Sequence, residues 1–147
     1  MALEEPLTDS VAFLLAKLGQ LATLRFAEGL APLGLRPRHC AVLGLLAAGP
    51  AMSQLELANR IGVTSSVVVE MLDELQVLGA LRRIRDTTDR RRQLTELTPR
   101  GTTLLRRATR LTRKIDAELL AQLDPGRAAE LSFTLGELAK AHELPGH

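Results

Sequence analysis

Apolar side chains recur at intervals of three and four residues along most of the chain, and this spacing constrains the fold more than any other sequence feature. The first series begins at Leu7 and continues with Val11, Leu14, Leu18 and Leu21. This period is typical of a helix with one buried face, whereas a half-buried strand alternates apolar and polar residues. The 147 residues include 31 leucines, no tryptophan, no tyrosine and three phenylalanines, so the predicted core is aliphatic. A mainly α-helical fold is therefore favoured over a β-sandwich, whose strands are rich in β-branched and aromatic residues.

Six helices are predicted from this spacing and from residues that begin or end helices. They cover residues 7–31, 37–48, 53–61 and 64–78, and two more begin at residues 98 and 124. Ser53 and Glu56 fit a capping box, in which each side chain accepts a hydrogen bond from a backbone N–H that the helix start leaves free. Gly62 lies in the turn of about three residues that follows, and two helices joined by such a turn form a helix-turn-helix.

A β-hairpin is predicted after the fourth helix, because two short stretches at residues 81–85 and 93–97 flank a polar segment. The alternation within them is irregular, since Leu81 and Ile84 fall on opposite faces of a regular strand. The order helix, turn, helix, hairpin and long helix is a winged helix-turn-helix layout. We therefore expect a mainly α fold with a small β-hairpin wing, in a single domain that spans residues 1–147.

The positive charge of the chain is concentrated in this hairpin. The formal net charge is +2, yet residues 80–100 carry +4 and residues 53–79 carry −3. Arginine suits the narrow minor groove of A-tract duplex DNA, where the negative potential is enhanced. Single-strand or RNA binding fits poorly, because stacking needs exposed aromatic residues and this chain has few. The patch favours duplex DNA as a partner, and the alternative is a solvated charged turn.

Four segments resemble the signature of the MarR family of bacterial transcriptional regulators. They are residues 55–63 (LELANRIGV), residues 72–75 (LDEL) with Gly79, residues 89–91 (DRR) and residues 97–101 (LTPRG). The most specific part is Asp89-x-Arg91 followed by Leu97-Thr98-x-x-Gly101, at the spacing that this family uses in its wing and at the start of its fifth helix. The similarity covers about residues 35–105, and the terminal helices match in length and position only.

The resemblance implies a homodimer that places one recognition helix per subunit in successive major grooves of a pseudo-palindromic operator in double-stranded DNA. The wings would lie in the flanking minor grooves, with Arg91 probing the groove and Asp89 orienting that arginine. Together with the charge pattern, this predicts a set of DNA-binding wing residues. They are Arg82, Arg83, Arg85, Asp89, Arg90, Arg91 and Arg92.

Dimerisation through the N- and C-terminal helices is also expected from the apolar pattern. The first and fifth helices each carry an apolar stripe that a wing and three short helices can hardly cover within one chain. We therefore expect residues 1–34 and 102–147 to form the dimerisation helices and residues 35–101 to form the winged helix-turn-helix DNA-binding lobe.

The fourth helix is the expected recognition helix, and it departs from the family pattern. Family members usually carry polar or basic residues where this chain has Val69 and Glu70, and residues 64–78 contain three acids and no base. Acids repel phosphates, so this helix is not expected to supply most of the affinity. A carboxylate can accept from the cytosine amino group, and the alternative is that the acids only face solvent. The predicted recognition residues are Thr64, Ser65, Ser66, Val69, Glu70 and Asp73.

A small aromatic or anionic ligand is implied by the resemblance, because the family binds such molecules in a crevice beside the dimerisation helices. Arg36, Arg38 and His39 lie near that crevice at the start of the second helix. For His39 the favoured interpretation is structural, since lone histidines often satisfy a nearby backbone group. Cys40 lies in an apolar run, which favours a buried, unreactive thiol over a redox sensor.

No enzymatic activity, metal site or cofactor is expected. The sequence contains no Gly-x-Ser-x-Gly elbow, phosphate-binding glycine loop or His-Glu-x-x-His pair. No apolar run is long enough to cross a membrane, so a cytoplasmic protein without a membrane partner is expected. Two functions stay open: a ligand-responsive DNA-binding repressor, which the intact wing favours, and a winged-helix dimer that has lost operator binding and acts through protein–protein interaction, which the acidic fourth helix favours.

Overall fold

The computed structural model describes residues 6–144, and within them it contains six α-helices and one two-stranded antiparallel hairpin. The predicted mainly α fold with a β-hairpin wing is confirmed. The elements in chain order are α1 (Val11–Leu30), α2 (Pro37–Ala48), α3 (Gln54–Ile61), α4 (Ser65–Val77), β1 (Leu81–Arg85), β2 (Gln93–Leu97), α5 (Pro99–Leu119) and α6 (Pro125–Ala141).

Side-chain caps begin most of these helices where the sequence predicts them. In the Ser53–Glu56 capping box, the Ser53 N–H donates to Glu56 Oε2 at 2.7 Å and the Glu56 N–H donates to Ser53 Oγ at 3.2 Å. The first helix is the exception, because it begins at Val11 and not at residue 7. Ser10 caps α1 by accepting from the Phe13 N–H, and Leu7–Asp9 form a separate 3-10 turn.

The hairpin pairs Leu81 with Leu97 and Arg85 with Gln93 at its two ends. A third segment joins it, since Met52 exchanges two backbone hydrogen bonds with Thr95, at 3.1 and 2.8 Å. Met52 and Thr95 are both buried at this bridge. Leu81 is also buried, whereas Ile84 is half-buried.

The core lies among α2, α3, α4, the base of the hairpin and the first half of α5. Its largest fully buried apolar side chains are Leu30, Val42, Leu43, Leu57, Val68, Met71, Leu72 and Leu75. Leu104 and Ala108 of α5 pack against the same cluster. The expectation that the α5 stripe needs a second chain to cover it is therefore wrong, because Leu104, Ala108 and Ile115 are already buried within the protomer.

The uncovered apolar surface lies on α1 and α6. On α1 the predicted stripe is exposed and not buried in the protomer, with Leu18 57% accessible. On α6, Phe133 is 68% accessible and this helix makes few contacts with the other elements. Among residues 6–144, no helix has both the length and the apolar character that crossing a membrane requires.

Candidate nucleic-acid interface

The helix-turn-helix consists of α3 and α4, joined by a turn at Gly62. The φ angle of Gly62 is 78°, in the left-handed region that favours glycine, and its N–H donates to the Ala58 carbonyl at 2.9 Å. Thr64 then begins α4 by accepting a hydrogen bond from the Val67 N–H. Both ends of the turn are thus specified locally, and α4 packs against α3.

One face of α4 is accessible, and the predicted recognition residues lie on it or at its edge. The opposite face is buried through Val68, Met71, Leu72 and Leu75. The accessible side chains are those of Thr64, Ser65, Ser66, Glu70 and Asp73, and Val69 is half-buried. The structure therefore brings the predicted residues together on one surface, and their contact with bases stays a prediction.

The acids of α4 are paired with arginines from other elements. Arg38 of α2 donates to both carboxylate oxygens of Glu74, at 2.8 and 2.9 Å, and lies 3.4 Å from Glu70. Arg36 adds a longer ion pair to Glu74 at 3.6 Å. These pairings were not predicted from the sequence, because α2 and α4 are far apart along the chain.

Asp73 is paired from the other side, by the wing. Arg83 of β1 lies 2.7 Å from the Asp73 carboxylate and also donates to the side-chain carbonyl of Gln76. Asp73 and Gln76 are one helical turn apart, so a single guanidinium spans both and connects β1 to α4.

His39 is buried, with 2% of its side chain accessible, and it links the start of α2 to α4. Its Nδ1 accepts a hydrogen bond from the Arg36 N–H at 3.0 Å, which leaves the ring proton on Nε2 to donate to Glu74 at 2.6 Å. Burial lowers the pKa of His39, so the neutral form is favoured. Hydrogen bonds from His39 and then from Arg38 lower the pKa of Glu74, which keeps that carboxyl ionised. The structural role predicted for His39 is consistent with this geometry.

A concavity lies between α2 and α4, and it is lined by Arg36 and His39 of the three residues predicted for the ligand crevice but not by Arg38. Its lining is Gly34, Arg36, His39, Asp73, Glu74, Val77 and Leu78. Glu74 is the residue that sequence reasoning did not assign to this place. The sequence does place Glu74 four residues after Glu70, beside the buried stripe of α4. Its contacts with Arg38 and His39, however, appear only when α2 packs against α4.

Three of the six hairpin arginines are held by acids within the chain. Arg82 pairs with Glu96 across the two strands, and Arg83 pairs with Asp73. Arg92 lies 2.6 Å from Glu56, in the capping box of α3. The hydrogen bond from the Ser53 N–H and the one from Arg92 lower the pKa of Glu56 to about 2. These three arginines connect the wing to the rest of the lobe.

The other three hairpin arginines, Arg85, Arg90 and Arg91, are exposed and form no ion pair within residues 6–144. Asp89 shapes the tip through the backbone: its Oδ1 accepts from the Arg91 N–H at 3.0 Å and its carbonyl accepts from the Arg92 N–H at 2.9 Å. The tip therefore presents uncompensated guanidinium groups on an ordered turn.

Residues 97–101 fasten the end of α4 to the start of α5. Thr98 caps α5 by accepting from the Gly101 N–H, and its hydroxyl donates to the carbonyl of Gly79. The Thr98 N–H donates to the Ala80 carbonyl at 3.0 Å, and Arg100 Nε donates to the Leu78 carbonyl at 2.7 Å. The carbonyls of Leu78, Gly79 and Ala80, which follow α4, therefore all accept hydrogen bonds from Thr98 or Arg100. These bonds connect the end of the recognition helix and the start of the wing to α5.

The remaining candidate groups have simpler surroundings. Cys40 is half-buried, and burial raises the pKa of its thiol, which favours the unreactive protonated form. Among residues 6–144, no group of three or more His, Cys, Asp or Glu side chains is arranged to hold a metal ion. Arg106, Arg110 and Arg113 lie along one exposed side of α5.

Comparison with known proteins matches a model of the MarR family to residues 33–92. An HTH-type transcriptional repressor of Mycobacterium tuberculosis is 30% identical over 128 residues, which are 87% of this chain and 92% of that protein. The transcriptional repressor CouR bound to a 23-mer DNA duplex has a TM-score of 0.80 at 30% identity, covering 90% of this chain and 94% of that one. CouR from Rhodococcus jostii RHA1 bound to p-coumaroyl-CoA has a TM-score of 0.75 at 27% identity, covering 92% and 95% of the two chains.

The match to the repressor extends over most of both chains, and the two CouR structures align with 92% and 90% of this chain. The turn at Asp89 lies within the residues that the family model matches. This chain belongs to the MarR family of winged helix-turn-helix, DNA-binding transcriptional regulators.

Proposed function

We propose that the protein is a homodimeric repressor that binds a pseudo-palindromic operator in duplex DNA and is released by a small aromatic or anionic ligand. One observation carries the proposal: Arg85, Arg90 and Arg91 are uncompensated on an ordered hairpin tip, beside a helix-turn-helix whose second helix exposes one face. In this proposal Arg91 enters the minor groove, and Ser65, Ser66 and Glu70 meet the major groove.

The dimer part of the proposal is supported by the apolar surface of α1 and α6. Leu14 and Leu18 on α1, and Leu135 and Leu138 on α6, are each more than two-fifths exposed in the protomer. Exposed apolar faces of this length on monomeric proteins are uncommon, and a second copy related by two-fold symmetry would cover both. The same symmetry would present two recognition helices to two half-sites.

The ligand part is supported by the concavity between α2 and α4 and by the complex of CouR with p-coumaroyl-CoA. Arg36 is 64% exposed at the rim, where an anionic group can reach it. Arg38 and His39 are already bound to Glu74, so an anion that engaged them would compete with that carboxylate. Such competition would move α4 relative to α2, which is a route from ligand binding to operator release.

The experiment is selection of binding sequences from a random duplex pool, followed by titration of the selected duplex across a salt series. We expect a palindromic motif whose affinity falls steeply between about 50 and 200 mM salt, because several phosphate contacts release counterions. Absence of an enriched motif would contradict operator binding and would favour the alternative of a protein-interaction module.

Replacing the wing-tip arginine tests the same site directly. Arg91→Ala is expected to weaken binding to the selected duplex by about 10- to 100-fold, because a minor-groove contact is lost. The dimer and the helix content measured by circular dichroism should be unchanged. Arg110→Ala removes the same charge from an exposed face of α5 and is the matched control. If Arg91→Ala binds as tightly as the parent, the assignment of the wing is wrong.

A further inference from the structure

The recognition helix carries three acids and no base, and this composition opposes an approach to DNA. Glu70 and Asp73 are 60% and 59% exposed on the accessible face, and Glu74 is 30% exposed beside them. The electrostatic repulsion between this surface and the DNA phosphates therefore depends on the positive charges beside the three carboxylates.

Arg38 is held by two of these carboxylates. Its Nη2 lies 2.8 Å from Glu74 Oε1 and 3.4 Å from Glu70 Oε1. Its Nε is buried without a hydrogen-bond partner within residues 6–144. The hydrogen bonds and ion pairs of this guanidinium are thus directed at the two acids of α4.

Arg83 of β1 pairs with the third carboxylate, that of Asp73. It lies 2.7 Å from Asp73 Oδ1 and is 24% exposed. With Arg36 at 3.6 Å from Glu74, three arginines face three acids and the formal charge of the group is zero. All three arginines come from α2, β1 or the residue before α2, and none belongs to α4.

We propose that Arg38 and Arg83 are positioning residues that make the acidic recognition helix compatible with DNA: they cancel the charge of Glu70, Asp73 and Glu74 towards the phosphates while leaving Glu70 and Asp73 accessible. A neutralised carboxylate keeps acceptor oxygens free for a base amino group, such as that of cytosine. The basic residues that α4 lacks are thereby supplied by its neighbours. This inference rests on the proposed DNA binding.

The test removes an arginine, then removes its acidic partner as well, and measures the affinity for DNA after each change. The duplex lacks the selected motif, because non-specific affinity depends on phosphate electrostatics and not on contacts with bases. Arg83→Ala is expected to weaken this affinity at least about fivefold, since Asp73 is left uncompensated near the phosphates. Arg83→Ala combined with Asp73→Asn should return the affinity to within about twofold of the parent, with an unchanged salt slope. In the same way, Glu70→Gln should rescue Arg38→Ala, because the pair of changes removes one positive and one negative charge.

Two controls keep the test interpretable. Arg25→Ala breaks an ion pair to Glu118 that joins α1 to α5 at 3.6 Å and includes no group of α4, so it should leave DNA affinity unchanged. Arg38→Ala exposes a carboxylate beside buried His39 and can unfold the lobe, so its thermal unfolding is measured first. The Arg83 and Asp73 variants change a half-buried and an exposed side chain, and they carry the test if Arg38→Ala does not fold.

The outcomes separate this inference from the proposed function. If the parent binds DNA and the paired variants stay weak, with a salt slope lower by about one, Arg83 contacts a phosphate itself and the compensation proposal is overturned. If Arg83→Ala and Arg38→Ala bind as well as the parent, it is overturned as well. If the parent binds no duplex at any salt concentration, the proposed function fails first and this inference with it.

Discussion

At the scale of single residues, Gly101 has the tightest surroundings in the junction between α4 and α5. A Cβ atom added there would lie 2.1 Å from the carbonyl oxygen of Ala80 and 3.1 Å from a side-chain carbon of Leu97. Ala80 is itself fixed, because its carbonyl accepts from the Thr98 N–H. The glycine of the family signature is thus required by a close backbone approach and not by an unusual φ angle.

Gly101→Ala is therefore expected to destabilise the fold by about 1–3 kcal/mol or more, because backbone must shift to admit the methyl group. The measurement is the free energy of unfolding from a urea titration. Gly44→Ala in α2 is the matched control, since its Cβ meets nothing within 4 Å. That change should stabilise by about 0.5–1 kcal/mol, as expected for a helical glycine. Equal stability of Gly101→Ala and the parent would contradict the close approach.

At the scale of elements, the carboxylate of Glu74 joins α2 to α4 through two side chains. Glu74 accepts hydrogen bonds from His39 and Arg38, and both donors lie at the start of α2. The wing is linked to α3 in a comparable way, through Arg92 and Glu56. The lobe is therefore stabilised by ion pairs at its edges as well as by its aliphatic core. Lowering the pH should weaken the ion pairs, because it protonates their carboxylates.

The stability of the protein is expected to fall as the pH is lowered from 7 to 5. The pKa of His39 is lowered in the folded state, so the unfolded chain takes up a proton first once the pH falls below about 6.5. Stability contributed by neutral His39 is present above that value and is lost below it, with a slope of at most about 1.4 kcal/mol per pH unit for one proton. Further acidification removes the contribution of Glu74, whose folded-state pKa is also lowered.

His39→Gln identifies the source of this slope, because glutamine keeps a donor for Glu74 but does not titrate. The variant should show a smaller change in the midpoint of urea unfolding between pH 7 and pH 5 than the parent. His142→Gln, which changes an exposed histidine at the end of α6, is the control. A parent midpoint that is constant over this range would exclude the assigned role of His39.

At the scale of the whole molecule, the uncovered apolar surface is divided between α1 and α6, at the two ends of the chain. Leu7, Val11 and Leu24 are all more than half exposed on the N-terminal side, and Phe133 is exposed on the C-terminal side. A protomer alone leaves these groups in water. The proposed dimer would bury them, and it would also determine the distance between the two recognition helices.

The double change Leu14→Glu and Leu18→Glu is expected to convert the dimer to a monomer, because two charges would enter an apolar interface. The molar mass from light scattering during size-exclusion chromatography is the measurement. Leu55→Glu places a charge on an exposed leucine of α3 and should keep the parent's mass. If the double variant stays dimeric, the interface lies elsewhere.

Local sequence patterns determined the elements of this protein, because the physical causes of each element lie within a few residues of one another. The apolar spacing of α4, the Ser53 capping box and the cap at Thr98 each act over three or four residues. The wing arginines and the signature at 89–101 also indicated the family. The start of α1 was misplaced because the apolar spacing continues through Leu7, beyond the cap at Ser10.

Only the tertiary structure decided what the charged side chains do. Arg38 and Glu74 are 36 residues apart, and so are Arg92 and Glu56, so no local pattern indicates that they meet. The acidic character of α4, which in the sequence argued against DNA binding, is compensated by arginines that packing brings to it. The hairpin arginines, alike in the sequence, are separated by the fold into Arg82, Arg83 and Arg92, which are paired, and Arg85, Arg90 and Arg91, which are exposed. Ion pairing depends on distances between elements, and those distances exist only once the core has packed.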